Sequence, residues 1–584
     1  MKRILFLLIA LAVAGVAGWY YWQFSQRLSS APVAALLPRE TIFVAQIPDF
    51  NRARDEWQHC DIYQLYREPA VQDFLRKPLG NAPKTDAVSQ TLREIEQLAP
   101  KNTFVALTSI DNNNPKMVGG FRFRGSQEEA EQIIGRWRSL LIGQSSSLKR
   151  EKVQYQGHEI EVAKAAGFSV ATAYDPPWFF AATDASDLQA LLDRADRRAS
   201  PDNSLDKDEA YRAAISRRPS NDAAFFYLQP KAFSQRLAAL RAAVGSTPAA
   251  GEGTMLEKMH CITGSMRFEN GKIHDVLFLG MPKVEQNTTL TRSSLSLGTK
   301  ETFFYLAMLV NLGERMDTLN QAAAFAGTKI FQALSDSSIT AADWTAAFGI
   351  ELGSLADWPS SARWPSLLVT LPVTDAAKAA KIVEALLRAE KDGSWTATEK
   401  DGVRYFSKQS AASFVAITPT IALSDRILIA GLDPTSAEEA IKRARGSSSE
   451  LADSQTYKGA ARLLPAPTNF FAYVDTAQLY SRFDASLRPM LLMAAAFVPA
   501  VAGSIDPTKL PAPEVITKHL TPIVSSQRFD GDGYMAESIG PITLDQLAIG
   551  VAIFSSFGAA AARQIGLGAP DTALPPAPSP SPTP

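Results

Sequence analysis

The feature that most constrains this fold is an internal repeat: the second half of the chain restates the first, element by element and in order. Glu40-Thr41-Ile42-Phe43-Val44 returns as Glu301-Thr302-Phe303-Phe304-Tyr305, and Arg54 keeps that register with Arg315. The apolar run Val118–Phe121 matches Leu367–Thr370. Each run leads into a helix with a capping signal, Ser126-Gln127-Glu128-Glu129 in one and Thr374-Asp375 in the other. Inside these helices Ala130, Ile133 and Trp137 answer to Ala379, Ile382 and Leu386, a spacing that puts each trio on one face. Trp178–Ala182 runs into Asp184 as Ile427–Gly431 runs into Asp433, and Arg194-Ala195 matches Arg443-Ala444. Tyr211, Pro219, Phe225, Tyr227 and Arg236 then align without a gap with Tyr457, Pro465, Phe471, Tyr473 and Arg482. Late in each copy, Arg267-Phe268 and Arg528-Phe529 precede hairpin-type turns, Asn270-Gly271 and Gly531-Asp532-Gly533. The offset between copies drifts only between segments, so insertions fall in loops while strands and helices persist.

This pattern predicts an α+β fold: a tandem duplication of an antiparallel sheet-plus-helices unit behind an N-terminal transmembrane helix. The expected boundaries are a signal anchor over residues 1–30, a first repeat over 31–290 and a second over 291–541. An apolar segment over 542–568 and a Pro-rich tail over 569–584 follow. Within each copy, two β-rich half-units are expected, with helices on one face of the sheet.

The membrane reading rests on Lys2 and Arg3 ahead of an uncharged run, Ile4–Trp22, of 19 residues. About 20 helical residues span the hydrocarbon core, and flanking positive charge keeps that end in the cytoplasm. The run ends in Trp19-Tyr20-Tyr21-Trp22, a composition suited to the outer interface. Ala12-Val13-Ala14 offers a leader-type cleavage site, but inside the apolar run, which favours an uncleaved anchor; either reading exports the body. Leu547–Ala562 is a second uncharged stretch of 16 residues before Arg563, open to readings as a second span, a buried helix or an interfacial segment. Met490–Gly503 reads as a core helix. The Pro-rich end, Leu574 to Pro584, is expected to be extended.

Composition narrows the partners. Lys and Arg number 59 against 60 Asp and Glu, so there is no basic field for nucleic acid. With 584 residues and two cysteines, Cys60 and Cys261, the chain is too long for one core and too poor in cysteine for a disulfide framework. The anchor, the Leu36-Leu37-Pro38-Arg39-Glu40-Thr41-Ile42-Phe43-Val44 segment, the Pro48-Asp49 step into a helix, the turn pair around Gly157 and Ile160, and the strand entering a helix through Asp184 together resemble the DUF3352 family of bacterial proteins of unknown function. The resemblance implies export and supplies no catalytic residue.

No chemistry-bearing motif stands out. His59, His158, His260, His274 and His519 form no metal spacing. His59 and Cys60 are adjacent, which on a helix points them apart. Ser146-Ser147-Leu148-Lys149 has Ser-x-x-Lys spacing without companion motifs, and Asp530-Gly531-Asp532-Gly533 lacks the later carboxylates of a calcium loop. Asn287-Thr288-Thr289 is a sequon, meaningful only in a glycosylating host. Catalytic, cofactor-binding and metal residues are therefore all read as none, and no cofactor is expected. The aromatic strands offer either a core or the lining of a lipid pocket, and Arg236 and Arg482 either local ion pairs or an anion site. The reading is a membrane-anchored, extracytoplasmic envelope protein that scaffolds or binds partners without catalysis. A carrier of a hydrophobic ligand and an envelope hydrolase are the alternatives, and the partners are a membrane and an envelope protein or lipid.

Overall fold

Short strands rich in aromatic and β-branched residues, each bounded by turns, pair on both sides wherever the chain supplies a neighbour. A computed structural model describes residues 32–78, 85–111, 114–142, 149–165, 168–235, 258–284, 288–313, 334, 336–389, 395–408, 417–446, 448–498, 503 and 505–547. The first half forms β1 (Phe43–Asp49), β2 (Lys101–Asp111), β3 (Asn114–Arg122), β4 (Lys149–Tyr155), β5 (His158–Ala165), β6 (Phe168–Asp175), β7 (Trp178–Ala182), β8 (Ala224–Leu228), β9 (Cys261–Glu269) and β10 (Lys272–Gly280). Its main helices are α1 (Phe50–Gln58), α2 (Asp61–Arg67), α3 (Pro69–Leu75), α4 (Gln127–Ile142), α5 (Ala185–Ala195) and α6 (Glu209–Ile215). The second half forms β11 (Thr302–Leu309), β12 (Glu351–Asp357), β13 (Ser366–Pro372), β14 (Trp395–Lys400), β15 (Val403–Lys408), β16 (Thr420–Leu423), β17 (Ile427–Gly431), β18 (Phe470–Val474), β19 (Ile523–Phe529) and β20 (Tyr534–Gly540). It also carries α7 (Ala376–Ala389), α8 (Pro434–Ala444), α9 (Gln455–Ala461), α10 (Thr476–Phe497) and α11 (Pro513–Thr517).

All pairings are antiparallel. The first half runs β4-β5-β6-β7-β3-β2-β1-β8-β9-β10. The second runs β14-β15-β16-β17-β13-β12-β11-β18-β19-β20, the same order. β10 then pairs with β20, from Ile273 opposite Gly540 to Leu279 opposite Tyr534, and the two rows become one 20-stranded sheet. Val276 faces Glu537 across this seam. The two residues also hold matching places in their halves, opposite Ser265 and Ser526 respectively, so the seam is close to two-fold symmetric.

The expected fold class is therefore corrected. The body is one large antiparallel sheet with helices, not two separate tandem units. The physical reason is the pair of edges: β10 and β20 would each expose a row of unpaired amides and carbonyls, and joining them removes both. No helix among the described residues is long and apolar enough to cross a membrane. Ile4–Trp22, the Pro-rich end and all but the first residue of Leu547–Ala562 lie outside the described residues. The remaining outer edges, β4 and β14, are largely exposed; β4 opens with Lys149, Arg150, Glu151 and Lys152, charges that discourage further pairing.

Three smaller expectations are also corrected. Val118 pairs with Ala182 and Leu368 with Gly431, so Val118 corresponds to Leu368, one residue on from the match read in sequence. A one-residue slip exchanges the faces of a strand: Val118 and Leu368 are buried, while Leu367 is 40% exposed. Helices cover both faces rather than one. α5 buries Leu188, Leu191 and Leu192 against Trp178, Phe180 and Ala182, whereas α4 packs Ala130, Ile133 and Ile134 on Phe121 and Phe179, which point the other way. Third, the Met490–Gly503 run is not a core helix: α10, which takes it up to Phe497, has no buried residue.

The caps fall where short polar side chains precede apolar runs. Ser126 and Glu129 form a reciprocal box at α4, Asp184 accepts from the Ser186 amide, and Asp433 from the Ser436 amide. Asn270 and Gly271 both take positive φ, at 50° and 80°, as a two-residue turn between β9 and β10 requires.

Candidate functional site

The residues with chemical potential are mostly consumed by the fold. The aromatic strands fill the core: Trp178, Phe180, Tyr227, Tyr305, Phe471 and Tyr473 are almost fully buried. Tyr211 meets Tyr227 edge-on with ring centroids 5.0 Å apart, and Tyr457 meets Tyr473 in the same way at 5.1 Å. His59 and Cys60 point apart: His59 Nδ1 contacts the Asp55 carbonyl at 2.7 Å, and the Cys60 thiol donates to the Glu56 carbonyl. Both cysteines are free and buried, and burial pushes each thiol up to about 11, which keeps it protonated at neutral pH. Ser146 to Leu148, Asn287 and Arg236 lie outside the described residues, and Arg482 donates to Glu301 at 2.8 Å.

Asp530 and Asp532 hold no calcium-loop geometry. Arg217, from the other half of the chain, takes Asp530 through Nε and Nη2 at 2.9 and 3.3 Å and Asp532 at 2.8 Å, and its guanidinium lies 4.5 Å from the Phe278 ring centroid. This pair ties the β19–β20 turn to the end of α6. Arg217 is mostly buried, so Arg217→Ala is expected to cost about 1–3 kcal/mol of stability by urea unfolding, with Asp530 left unpaired. A loss within a few tenths of a kcal/mol, about the scale of an exposed pair, would show that the contact does not fasten the halves.

Two polar clusters sit at the seam, one on each side of the sheet. On one, Arg267 Nη2 donates to His274 Nδ1 at 2.9 Å, which leaves His274 Nε2–H to donate to Glu537 at 3.3 Å. Arg528 Nη1 donates to Glu537 at 2.6 Å. Burial pushes the Glu537 carboxyl up, but His274 and Arg528 together outweigh it and hold the group below its usual range. On the other, Thr543 Oγ1 donates to Asp275 at 2.5 Å, and Asp545 stands nearby. Burial pushes Asp275 up to about 6 and raises Asp545 as well.

A third cluster was missed in sequence because its members lie on three separate turns. His158, Asp175 and Asp196 bring one ligand atom each within 4.8 Å of one another. Arg198 already occupies it, donating to Asp196 and to Asp193 at 2.5 and 2.9 Å, while His158 Nε2 meets Asp196 at 2.8 Å. The second half ties the same hairpin to its helix end through Arg445 Nη2 and the Asp401 carbonyl at 2.9 Å. Both ties fasten a hairpin.

What remains unspent is an apolar surface. α10 is held on one side by α11 and the Pro507–Lys509 turn, where Arg488 binds Asp484 and the Leu510 and Pro511 carbonyls. This layer reaches across to the first half, with Glu68 meeting Lys518 and His519, and Asp73 meeting Lys509. Toward its C-terminal end α10 exposes Leu492, Met493 and Phe497, at 45%, 57% and 82%, followed by Val498 at 44%, while Phe483, 48% exposed, stands more than two turns earlier. From Pro489 to Val498 there is no charge and no polar side chain. Large apolar groups at this exposure, gathered on the last two turns of one helix, mark a contact surface rather than scattered apolar residues.

No family model matches the chain, and no curated protein matches it. Among solved structures it is similar to TP0453, in two crystal forms. Each aligns at 8% identity over 44% of this chain and 83% or 82% of that one, with TM-scores of 0.25 and 0.24. A likeness this weak transfers no activity.

Proposed function

We propose that this chain is a non-enzymatic scaffold of the bacterial cell envelope, held outside the cytoplasm at a membrane, that binds a partner protein through α10. The observation that carries the reading is the exposed apolar face of that helix. Its composition suits a protein partner, because interface cores are enriched in Phe and Met and depleted in charge. Lys2 and Arg3 ahead of Ile4–Trp22 and the resemblance to the DUF3352 family support the envelope location. The aromatic rings offered as a ligand lining pack against one another instead, which favours a scaffold over a carrier of hydrophobic molecules.

The test is photo-crosslinking in cells from a benzophenone side chain at Met493. The reading expects a discrete adduct with an envelope protein, strongly reduced when Phe497→Glu is added. Phe497→Glu itself should change stability by no more than about 0.5 kcal/mol, since its site is on the surface. An empty lane from Met493, with the protein recovered in the cytosolic fraction, would overturn the reading.

A further inference from the structure

The two halves act as controls for one another. Arg194 in α5 and Arg443 in α8 hold the same place in the repeat, but their surroundings differ. Arg443 stands between two carboxylates: Asp357 at 3.7 Å from Nη2 and Glu439 at 3.8 Å from Nη1. Asp357 also accepts from Thr302 Oγ1 at 2.5 Å. In the first half both positions are neutral. The pairing of β1 with β2 and of β11 with β12 puts Thr108 where Asp357 stands, and the helix register puts Ala190 where Glu439 stands. The arginine was kept and both of its acids are absent.

A cleft of about 200 Å³ opens at that spot. Arg194, Thr108 and Ala190 line it, with Ser109, Lys116 and Asp187 beside them. Lys116 and Asp187 face each other at 3.6 Å. Arg194 makes no ion pair among the described residues: its Nη1 donates to the Ala190 carbonyl at 3.1 Å, and its Nε, like that of Arg443, is buried without a partner. Glu40, at the rim, is exposed. Desolvation lowers the Arg194 guanidinium from its ordinary value, outweighing the Glu40 and Asp193 carboxylates, which raise it.

We infer that the cleft beside Arg194 binds the carboxylate of a small ligand, in the place that the second half fills with the side chain of Asp357. The chemistry follows from the donors. A guanidinium presents paired N–H groups that match the two oxygens of a carboxylate. Thr108 and Ser109 line the same cleft, with the Thr108 hydroxyl donating to the Lys116 carbonyl at 3.1 Å, and the cleft has room for several waters and hence for a short carboxylic acid. This site is independent of the α10 surface and of any partner bound there.

The test uses the full-length chain and succinate as probe, with inorganic phosphate and chloride at matched ionic strength. Titration calorimetry should show saturable succinate binding, and the melting temperature should rise with succinate as mass action requires. Arg194→Ala should weaken binding about tenfold or more. Thr108→Asp, which restores the sister half's carboxylate, should abolish binding and melt above the wild type without ligand. That second variant keeps the inference falsifiable if Arg194→Ala fails to fold. Absence of saturable succinate binding, an equal response to phosphate, or undiminished binding by Thr108→Asp would each overturn it.

Discussion

Truncating Trp178 to alanine is expected to cost about 3–5 kcal/mol, the range for large aromatic side chains removed from a packed core. Trp178 is 1% exposed, stacks on Phe180 with ring centroids 5.2 Å apart, and meets Phe104 edge-on at 6.2 Å. Aromatic side chains of this kind bury about 150–250 Å² each, and at about 25 cal/mol per Å² that is about 4–6 kcal/mol before entropy is subtracted. The loss reads directly as a fall in the urea midpoint. A cost near 1 kcal/mol would mean that the first-half core is loosely packed around β7 and that the aromatic strands are free to line something else.

The second large effect is a pH dependence carried by Asp275. Its carboxyl sits at about 6 in the fold against an ordinary 3.8, because it is buried at the seam opposite Ser538 and close to the like-charged Asp545; Thr543 and Gln546 pull the other way. A carboxyl raised by folding favours the protonated native state. Its contribution is fully present below about 3.8 and is lost as pH rises through 6. The difference between these values, at about 1.4 kcal/mol for each, amounts to about 3 kcal/mol of missing stability at pH 8. Asp275→Asn keeps the shape without the charge, so it should be more stable than the wild type at pH 8 by up to about 3 kcal/mol. That advantage should disappear near pH 4. Glu537 and Glu351, both held below their usual range, act with the opposite sign and only in more acidic solution. Parallel stability curves for the two proteins between pH 5 and 8 would show that Asp275 does not titrate within the fold.

Local signals in the sequence announced local structure. The Asp184 and Asp433 caps, the Asn270-Gly271 turn and the buried aromatic strands all rest on side chains acting within a few residues. The repeat made the second half readable from the first, and the retained Arg194 and Arg443 pair was visible as a match. What separates those two arginines was not, because Thr108 and Ala190 reach the site from a strand and a helix that only folding brings together. The seam was hidden for a similar reason. β10 and β20 look like ordinary terminal strands of their copies, and nothing local says that each is the other's partner. The α10 surface misled in a different way: an uncharged run reads as core by composition, and only the packing shows that its outer side faces solvent. His158, Asp175 and Asp196 carry no spacing signal, since their meeting depends on three turns converging.

The most direct test of the central claim, that both halves share one sheet, is amide hydrogen exchange in peptides covering 272–280 and 534–540. In an antiparallel interior strand alternate residues turn their amides to opposite neighbours, so about half of those in β10 and β20 should point across the seam. The shared sheet predicts that both sets are protected, with slow exchange in β10 and β20 alike and simultaneous loss of protection in urea. Rapid exchange of about half the amides in each strand, with the two halves unfolding at separate midpoints, would contradict it and return the chain to two independent units.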